Sequence, residues 1–244
     1  MTAKDAAIAA GVTDRLAGCD WSRMAEALEE TGGASLPGLL SAADCQAVAA
    51  LYDDESRFRS HVIMARHGFG RGEYKYFAYP LPDLIAALRI DLYARLAPIA
   101  NRWNQRLGLD WRYPDRHADY VERCRAAGQT RPTPLLLRYG PGDYNCLHQD
   151  LYGAQVFPLQ VAVLLSEPER DFRGGEFVLT EQRPRQQSRV EVVPLRQGDG
   201  VVFAVHQRPV RGQRGDHRVT LRHGVSRVRQ GRRQALGIIF HDAA

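Results

Sequence analysis

Leu135-Leu-Leu-Arg-Tyr139, Gly140-Pro-Gly-Asp143 and Tyr144-Asn-Cys-Leu-His-Gln149 read in succession as a short apolar run, a turn and a second run. Runs of this length bounded by Gly, Pro and Asp are strand signals. The texture repeats downstream through Pro158–Leu165, Glu176–Thr180, Val190–Val193, Gly200–Val205, Arg218–Val225 and Gln234–His241. Eight such runs in about 110 residues predict an antiparallel sandwich or jelly roll.

Upstream the period changes to that of helices. Asp20 is placed to cap a helix from Trp21 to about Glu30, with Trp21, Met24, Ala25 and Leu28 on one face and Gly32-Gly33 as its stop. Ser41 with Asp44 resembles a capping box opening a second helix, in which Cys45, Val48 and Leu51 share a face. A longer helix is expected from Asp83 to Leu107, ending at Gly108, with Pro98 predicted to kink or split it. Between these, Arg59–Arg66, the turn-like His67–Gly72 and Glu73–Tyr79 read as a hairpin or mobile flap, with Tyr74 and Tyr76 on one face. The expected organisation is a helical layer over residues 1–129, carrying the hairpin near 59–79, packed on a β core over 130–244.

Composition narrows the class. The 244 residues are 44% hydrophobic and 25% charged, with no apolar run of 18 or more, which excludes a transmembrane helix and a wholly disordered chain. Met1-Thr-Ala-Lys-Asp5 lacks a sustained apolar segment, so no secretory signal is expected. Cys19, Cys45, Cys124 and Cys146 form no CxxC pair, which argues against a zinc knuckle or a disulfide framework and for a reducing, cytoplasmic setting without a membrane partner. The net charge of +5 is unevenly spread: residues 181–233 hold 13 arginines against four acids, a net of +9. That distribution fits a polyanionic partner, or simply a solvated basic face, since only Lys4 and Lys75 among the bases are lysines.

His148 and Asp150 stand two apart, so on a strand both side chains point to one face. A site built from two histidines and one carboxylate needs one further histidine, and His206, His217 and His223 are available. Arg233 follows His223 by ten residues, beyond the Gly231 turn, on the opening of the last apolar strand. An arginine inside a barrel is costly unless it meets an anion, and its planar fork suits a carboxylate.

In this pattern the sequence resembles the Fe(II)/2-oxoglutarate-dependent dioxygenases. His-x-Asp, a distal His and then Arg occur in the family's order, with Arg138-Tyr-Gly-Pro-Gly-Asp143, Gly174-Gly-Glu-Phe177, Gly198-Asp-Gly-Val-Val-Phe203 and His223-Gly-Val leading to Gly231-Arg-Arg233. The resemblance covers residues 130–242 and implies a double-stranded β-helix, a jelly-roll barrel backed by the α-helical layer. It implies that His148, Asp150 and His223 ligate Fe(II), that Arg233 holds the distal carboxylate of 2-oxoglutarate, and that Tyr139 bonds the cosubstrate or serves as a core tyrosine. The implied reaction consumes O2 and 2-oxoglutarate, with ascorbate in support, releases succinate and CO2, and hydroxylates an aliphatic C–H.

The substrate divides the reading. The His–Arg spacing resembles prolyl 4-hydroxylases, which implies a protein, peptide or free amino-acid substrate. Leu147-His-Gln-Asp-Leu-Tyr-Gly153, Phe157-Pro-Leu-Gln160 and Val205-His-Gln-Arg-Pro-Val210 resemble a bacterial oxygenase group predicted to act on nucleic acid by oxidative removal of alkyl lesions. Demethylation needs a base out of the stack, an aromatic slot and basic phosphate contacts. Phe69, Tyr74, Tyr76 and Tyr152 are candidates for the slot, with core packing or cosubstrate shielding as their other reading. Arg208, Arg211 and Arg214 are candidates for the phosphates of single-stranded or damaged nucleic acid, or else solvated surface. Gln160 orients substrate or meets a backbone partner, and His206 is a substrate-side donor or an ordinary loop histidine. A catalytically silent metal-binding sensor or interaction protein is the reading from another class. The oligomeric state is not encoded in any of these motifs.

Overall fold

A computed structural model describes residues 11–183, 185–213 and 215–244. Residues 11–17 are helical, and α1 (Trp21–Thr31) begins where the Asp20 carboxylate accepts from the Ser22 and Arg23 N–H groups. It ends at Gly32, in the left-handed region at φ 82°, whose N–H donates to the Leu28 carbonyl. In α2 (Ala42–Ala50) the Ser41 and Asp44 side chains each accept from the other's backbone N–H, so the capping box is present.

α3 (Asp83–Arg106) runs unsplit through Pro98, which excludes the split that was one of the two expected outcomes. The carbonyl that Pro98 leaves without a donor belongs to Ala94, and both residues are exposed, so water can satisfy it. α4 (His117–Ala126) was not anticipated; its buried residues His117, Tyr120, Val121 and Cys124 nonetheless keep helical spacing.

The strands form two main sheets, antiparallel throughout. In order, β1 (Gly33–Leu36), β11 (Gly200–Ala204), β7 (Leu159–Leu164), β15 (Arg233–Ile238), β5 (Leu135–Tyr139), β4 (Glu73–Phe77) and β2 (Phe58–Ile63) make a seven-stranded sheet. Opposite it lie β10 (Arg189–Val193), β9 (Phe177–Gln182), β13 (Gly215–Val225), β6 (Tyr144–His148) and β3 (Gly70–Arg71), with β12 (Gln207–Gly212) also paired to β13. A ribbon joins β8 (Phe172–Gly174) to β14 (Val228–Gly231). The fold is the jelly roll, mainly β with amino-terminal helices, that the strand texture predicts. The hairpin near 59–79 is seated in it: β4 pairs with β5, and β3 near the hairpin tip pairs with β6.

Strand alternation then sorts the central strands into two faces. Val161, Val163, Leu236 and Ile238 pack with Ile85, Leu88, Leu92 and Leu96 of α3. Their alternates, Gln160, Ala162, Arg233, Ala235 and Gly237, face a cavity between the sheets. The sheet is thus packed against helix beneath and open to the cavity above.

The helical layer is closed by buried polar groups. Arg89 of α3 donates to the Ile239 carbonyl, the Tyr79 hydroxyl and, at 2.7 Å, to Asp242. His117 Nε2 donates to the Phe240 carbonyl at 2.9 Å, and burial, then the Arg89 cation, lowers its pKa to about 4. The unfolded chain protonates this histidine near its ordinary 6.5 and the folded chain does not until about 4, so stability is full above that ordinary value and falls as pH drops through the interval. The expected loss from this one group is about 2 kcal/mol at pH 5. Urea unfolding at pH 7.5 and pH 5 checks it: His117→Gln, which keeps a donor for Phe240, should shrink the difference by that amount, and an undiminished difference would rule the histidine out as its source.

Candidate active site

The cavity between the sheets has a volume of about 340 Å³. From β6 and the segment after it come His148 and Asp150; from β13 comes His223, whose backbone is the direct cross-strand partner of His148. That register, not proximity in sequence, brings the two imidazoles together, with ring centroids 4.1 Å apart. His148 Nε2 lies 3.5 Å from Asp150 Oδ1, and His223 Nε2 lies 3.4 Å from Asp150 Oδ2. One ligand atom from each of the three falls within 4.8 Å of the others.

The ring orientations suit ligation. His148 Nδ1 donates to the Cys146 carbonyl at 2.8 Å, which turns Nε2 toward the carboxylate. Burial, and then the nearby His148, push the His223 pKa down, so it is held neutral. Burial by itself would raise Asp150, but the hydrogen bond from His223, the two adjacent imidazoles and the Tyr152 hydroxyl hold it well below the ordinary carboxylate range. Two imidazoles and a carboxylate are the donor set of a non-haem Fe(II) centre.

A second feature lies beside the triad. Arg233 is 3% exposed, yet its Nε and Nη1 have no hydrogen-bond partner among the described residues. Gln160 Oε1 and His223 Nδ1 are also buried without partners among the described residues, the Tyr139 hydroxyl is buried beside Asn145, and all four residues line the cavity. Arg233 and Tyr139 are cross-strand partners, with the guanidinium 5.6 Å from the Tyr139 ring centroid. Gly175, at φ 67°, makes room for this arginine, since a Cβ there would lie 2.9 Å from Arg233 Cδ. Buried donors of this kind are retained where a ligand satisfies them. A buried guanidinium with free Nε and Nη1 donors among the described residues, beside a phenol on the cavity wall, fits a dicarboxylate such as 2-oxoglutarate, just as the triad fits Fe(II).

The other candidates divide. Tyr74, Tyr76, Tyr152 and Gln160 line the cavity, and Phe69 stands 48% exposed at its edge, stacked on His67 with centroids 5.3 Å apart. His206 does not line it; its carbonyl accepts from the Leu221 N–H. Arg208 is a correction: it is fully buried, pairs with Glu181, and donates to the Glu29 and Glu30 carbonyls at the end of α1. A guanidinium so engaged is a helix cap and meets no phosphate. Arg211 is exposed, and Arg214 lies outside the described residues. Leu135, Leu137 and Ala235 of the wall were missed, although each sits two residues from a wall residue and alternation alone would have found it.

A family model described as "Oxygenase, catalysing oxidative methylation of damaged DNA", Oxygenase-NA, matches residues 72–243. The chain belongs to this family. Oxygenase-NA membership makes it an oxidoreductase, and the triad and cavity fit the Fe(II) and 2-oxoglutarate that the sequence implies. The uncharacterised protein Rv2227 of Mycobacterium tuberculosis is 53% identical over 168 residues, covering 69% of this chain and 72% of its own length. Among solved structures, an oxidoreductase of the 2OG-Fe(II) oxygenase family from Burkholderia pseudomallei matches with TM-score 0.54 and 18% identity over 93% of this chain and 94% of its own. A Trichoplax adhaerens prolyl hydroxylase in complex with a hypoxia inducible factor peptide fragment matches with TM-score 0.52 and 17% identity over 92% and 88%. At these identities the two structures speak for the fold alone. No helix among the described residues is long and apolar enough to cross a membrane.

Proposed function

We propose that this Oxygenase-NA protein oxidises alkyl groups on nucleobases, with His148, Asp150 and His223 holding Fe(II), and Arg233 and Tyr139 receiving the 2-oxoglutarate carboxylate. Bound Fe(II) with 2-oxoglutarate and O2 would supply the oxidant for an aliphatic C–H, giving succinate and CO2. Hydroxylation of an N-methyl group leaves a hydroxymethyl that departs as formaldehyde, so the net result is removal of the methyl. The chain contributes a cavity that admits one base, not a duplex. It also contributes a frame that keeps the reacting carbon near the triad and bulk water away.

The observation that carries the nucleic-acid reading is the aromatic lip. Phe69 projects from the hairpin tip on His67 at the cavity mouth, between exposed Arg66 and Arg71. An exposed planar pair with exposed arginines close by in the chain offers what an unstacked base and its phosphates require. Nine further arginines of the basic carboxy-terminal stretch are exposed, among them Arg218, Arg222, Arg227 and Arg229.

The test is 2-oxoglutarate turnover with Fe(II), ascorbate and O2 on single-stranded DNA carrying methylated bases, on proline-containing peptides, and with no prime substrate, with His148→Ala as the blank. The expected result is formaldehyde and demethylated DNA in step with succinate. With about three or four phosphates neutralised, affinity for the strand should fall roughly 20- to 50-fold between 50 and 200 mM salt. Hydroxylated peptide with untouched DNA would transfer the enzyme to the peptide hydroxylases, and a salt-independent KM would remove the phosphate contacts.

A further inference from the structure

The segment that carries Asp150 lies beyond the end of β6, so no strand ladder fixes its carboxylate. A terminal carboxylate torsion is soft and turns freely unless something holds it. Here something does. The Tyr152 hydroxyl donates to Asp150 Oδ1 at 2.5 Å, and the Tyr76 hydroxyl in turn donates to Tyr152 at 3.0 Å. Tyr76 is itself fixed: it sits on β4, 8% exposed, under the Arg59 guanidinium at 4.5 Å, and meets the Tyr152 ring edge-on.

The turn that follows is fixed as well. Gly153, at φ 126°, brings the backbone against Gln129, where a Cβ would lie 2.5 Å from Cδ. The Gln129 amide then donates to the Gln155 carbonyl and accepts from its N–H. Tyr152 is thus anchored on both sides, with its hydroxyl directed at one carboxylate oxygen.

We propose that Tyr152, supported by Tyr76, is a positioning residue for the metal-binding carboxylate, keeping Asp150 Oδ1 engaged so that Oδ2, which faces His223, is presented to the ion. The proposal rests on the reading of His148, Asp150 and His223 as the metal site. It reassigns both hydroxyls, which the sequence had offered as part of a substrate slot; only the ring faces remain for substrate. A charge-assisted O–H···O⁻ bond of this length is among the strong ones. Partners of this kind commonly govern metal affinity by about 10- to 100-fold.

Co(II) titration of the full chain, followed by its visible absorption, reads the arrangement without turnover. Tyr152→Phe should weaken Co(II) binding by about 10-fold or more and alter the absorption bands. Tyr76→Phe should weaken binding about 2-fold, in the same direction. Metal-free melting temperatures report packing separately. A Tyr152→Phe protein with unchanged affinity and bands, whatever its melting temperature, overturns the proposal while His148→Ala still abolishes binding. Full Co(II) binding by His148→Ala would instead overturn the metal site beneath it. Should Tyr152→Phe not fold, Tyr76→Phe decides, and unchanged affinity and bands there overturn the coupling.

Discussion

Replacing Arg233 with methionine is expected to raise the melting temperature of the ligand-free protein while abolishing its response to 2-oxoglutarate. The side chain is 3% exposed and lacks partners at Nε and Nη1 among the described residues. Burial pushes its pKa down, with only Tyr139 and Glu176 opposing. Leaving such a charge buried without a partner costs about 1–3 kcal/mol, which an unbranched apolar side chain of similar reach avoids. In a domain of this size the gain corresponds to a rise of roughly 2–10 °C. The same substitution removes the donor proposed for the cosubstrate carboxylate, a loss of about 2–5 kcal/mol, or a KM for 2-oxoglutarate raised from roughly 30-fold to several thousand-fold. Thermal unfolding with and without 2-oxoglutarate, in the presence of Mn(II), reads both effects. A destabilised variant that still responds to 2-oxoglutarate would make Arg233 a structural residue and leave the cosubstrate without its anchor.

What the sequence discloses depends on the range of the interaction concerned. The caps at Asp20 and at Ser41 with Asp44 are contacts within three residues, so they are legible, and the structure has them. The longer strands of the jelly roll are legible as short apolar runs between turns, whereas β1, β8, β12 and β14 were not read from the sequence. Among these, β12 carries a proline at position 209, which a strand interior disfavours. Pro209 is tolerated there since, among the described residues, β12 is an edge strand that pairs with β13 alone. The order of motifs that carries the family resemblance is likewise a sequence property. The cross-strand register that sets His148 opposite His223 is not, nor is the chain from Tyr76 through Tyr152 to Asp150, which joins residues 76 apart at its first link. Arg208 is the plainest case: the sequence shows its charge, but its partner Glu181 is 27 residues away and becomes visible only in three dimensions.

That pairing sets the second large effect. Glu181→Ala is expected to destabilise the fold by about 3–5 kcal/mol, because it leaves Arg208 buried against two helix-end carbonyls with no counter-charge. Glu181 is itself buried, and burial opposes its ionisation, but the Arg183 hydrogen bond and the charge of Arg208 hold its pKa below the ordinary carboxylate value. The pair is a junction: β9 supplies Glu181, β12 supplies Arg208, and the guanidinium closes the end of α1 through the Glu29 and Glu30 carbonyls. Losing it should therefore loosen the helical layer from the smaller sheet while leaving the triad's register, set by β6 and β13, in place. The double variant Glu181→Leu with Arg208→Met should recover much of the loss, since apolar replacement of a buried pair is often close to neutral. Chemical denaturation of the single and double variants gives the coupling directly. Strand binding separates this role from a phosphate contact: the double variant should bind methylated single-stranded DNA with wild-type salt dependence, and a slope reduced by about one unit would return Arg208 to the nucleic-acid surface.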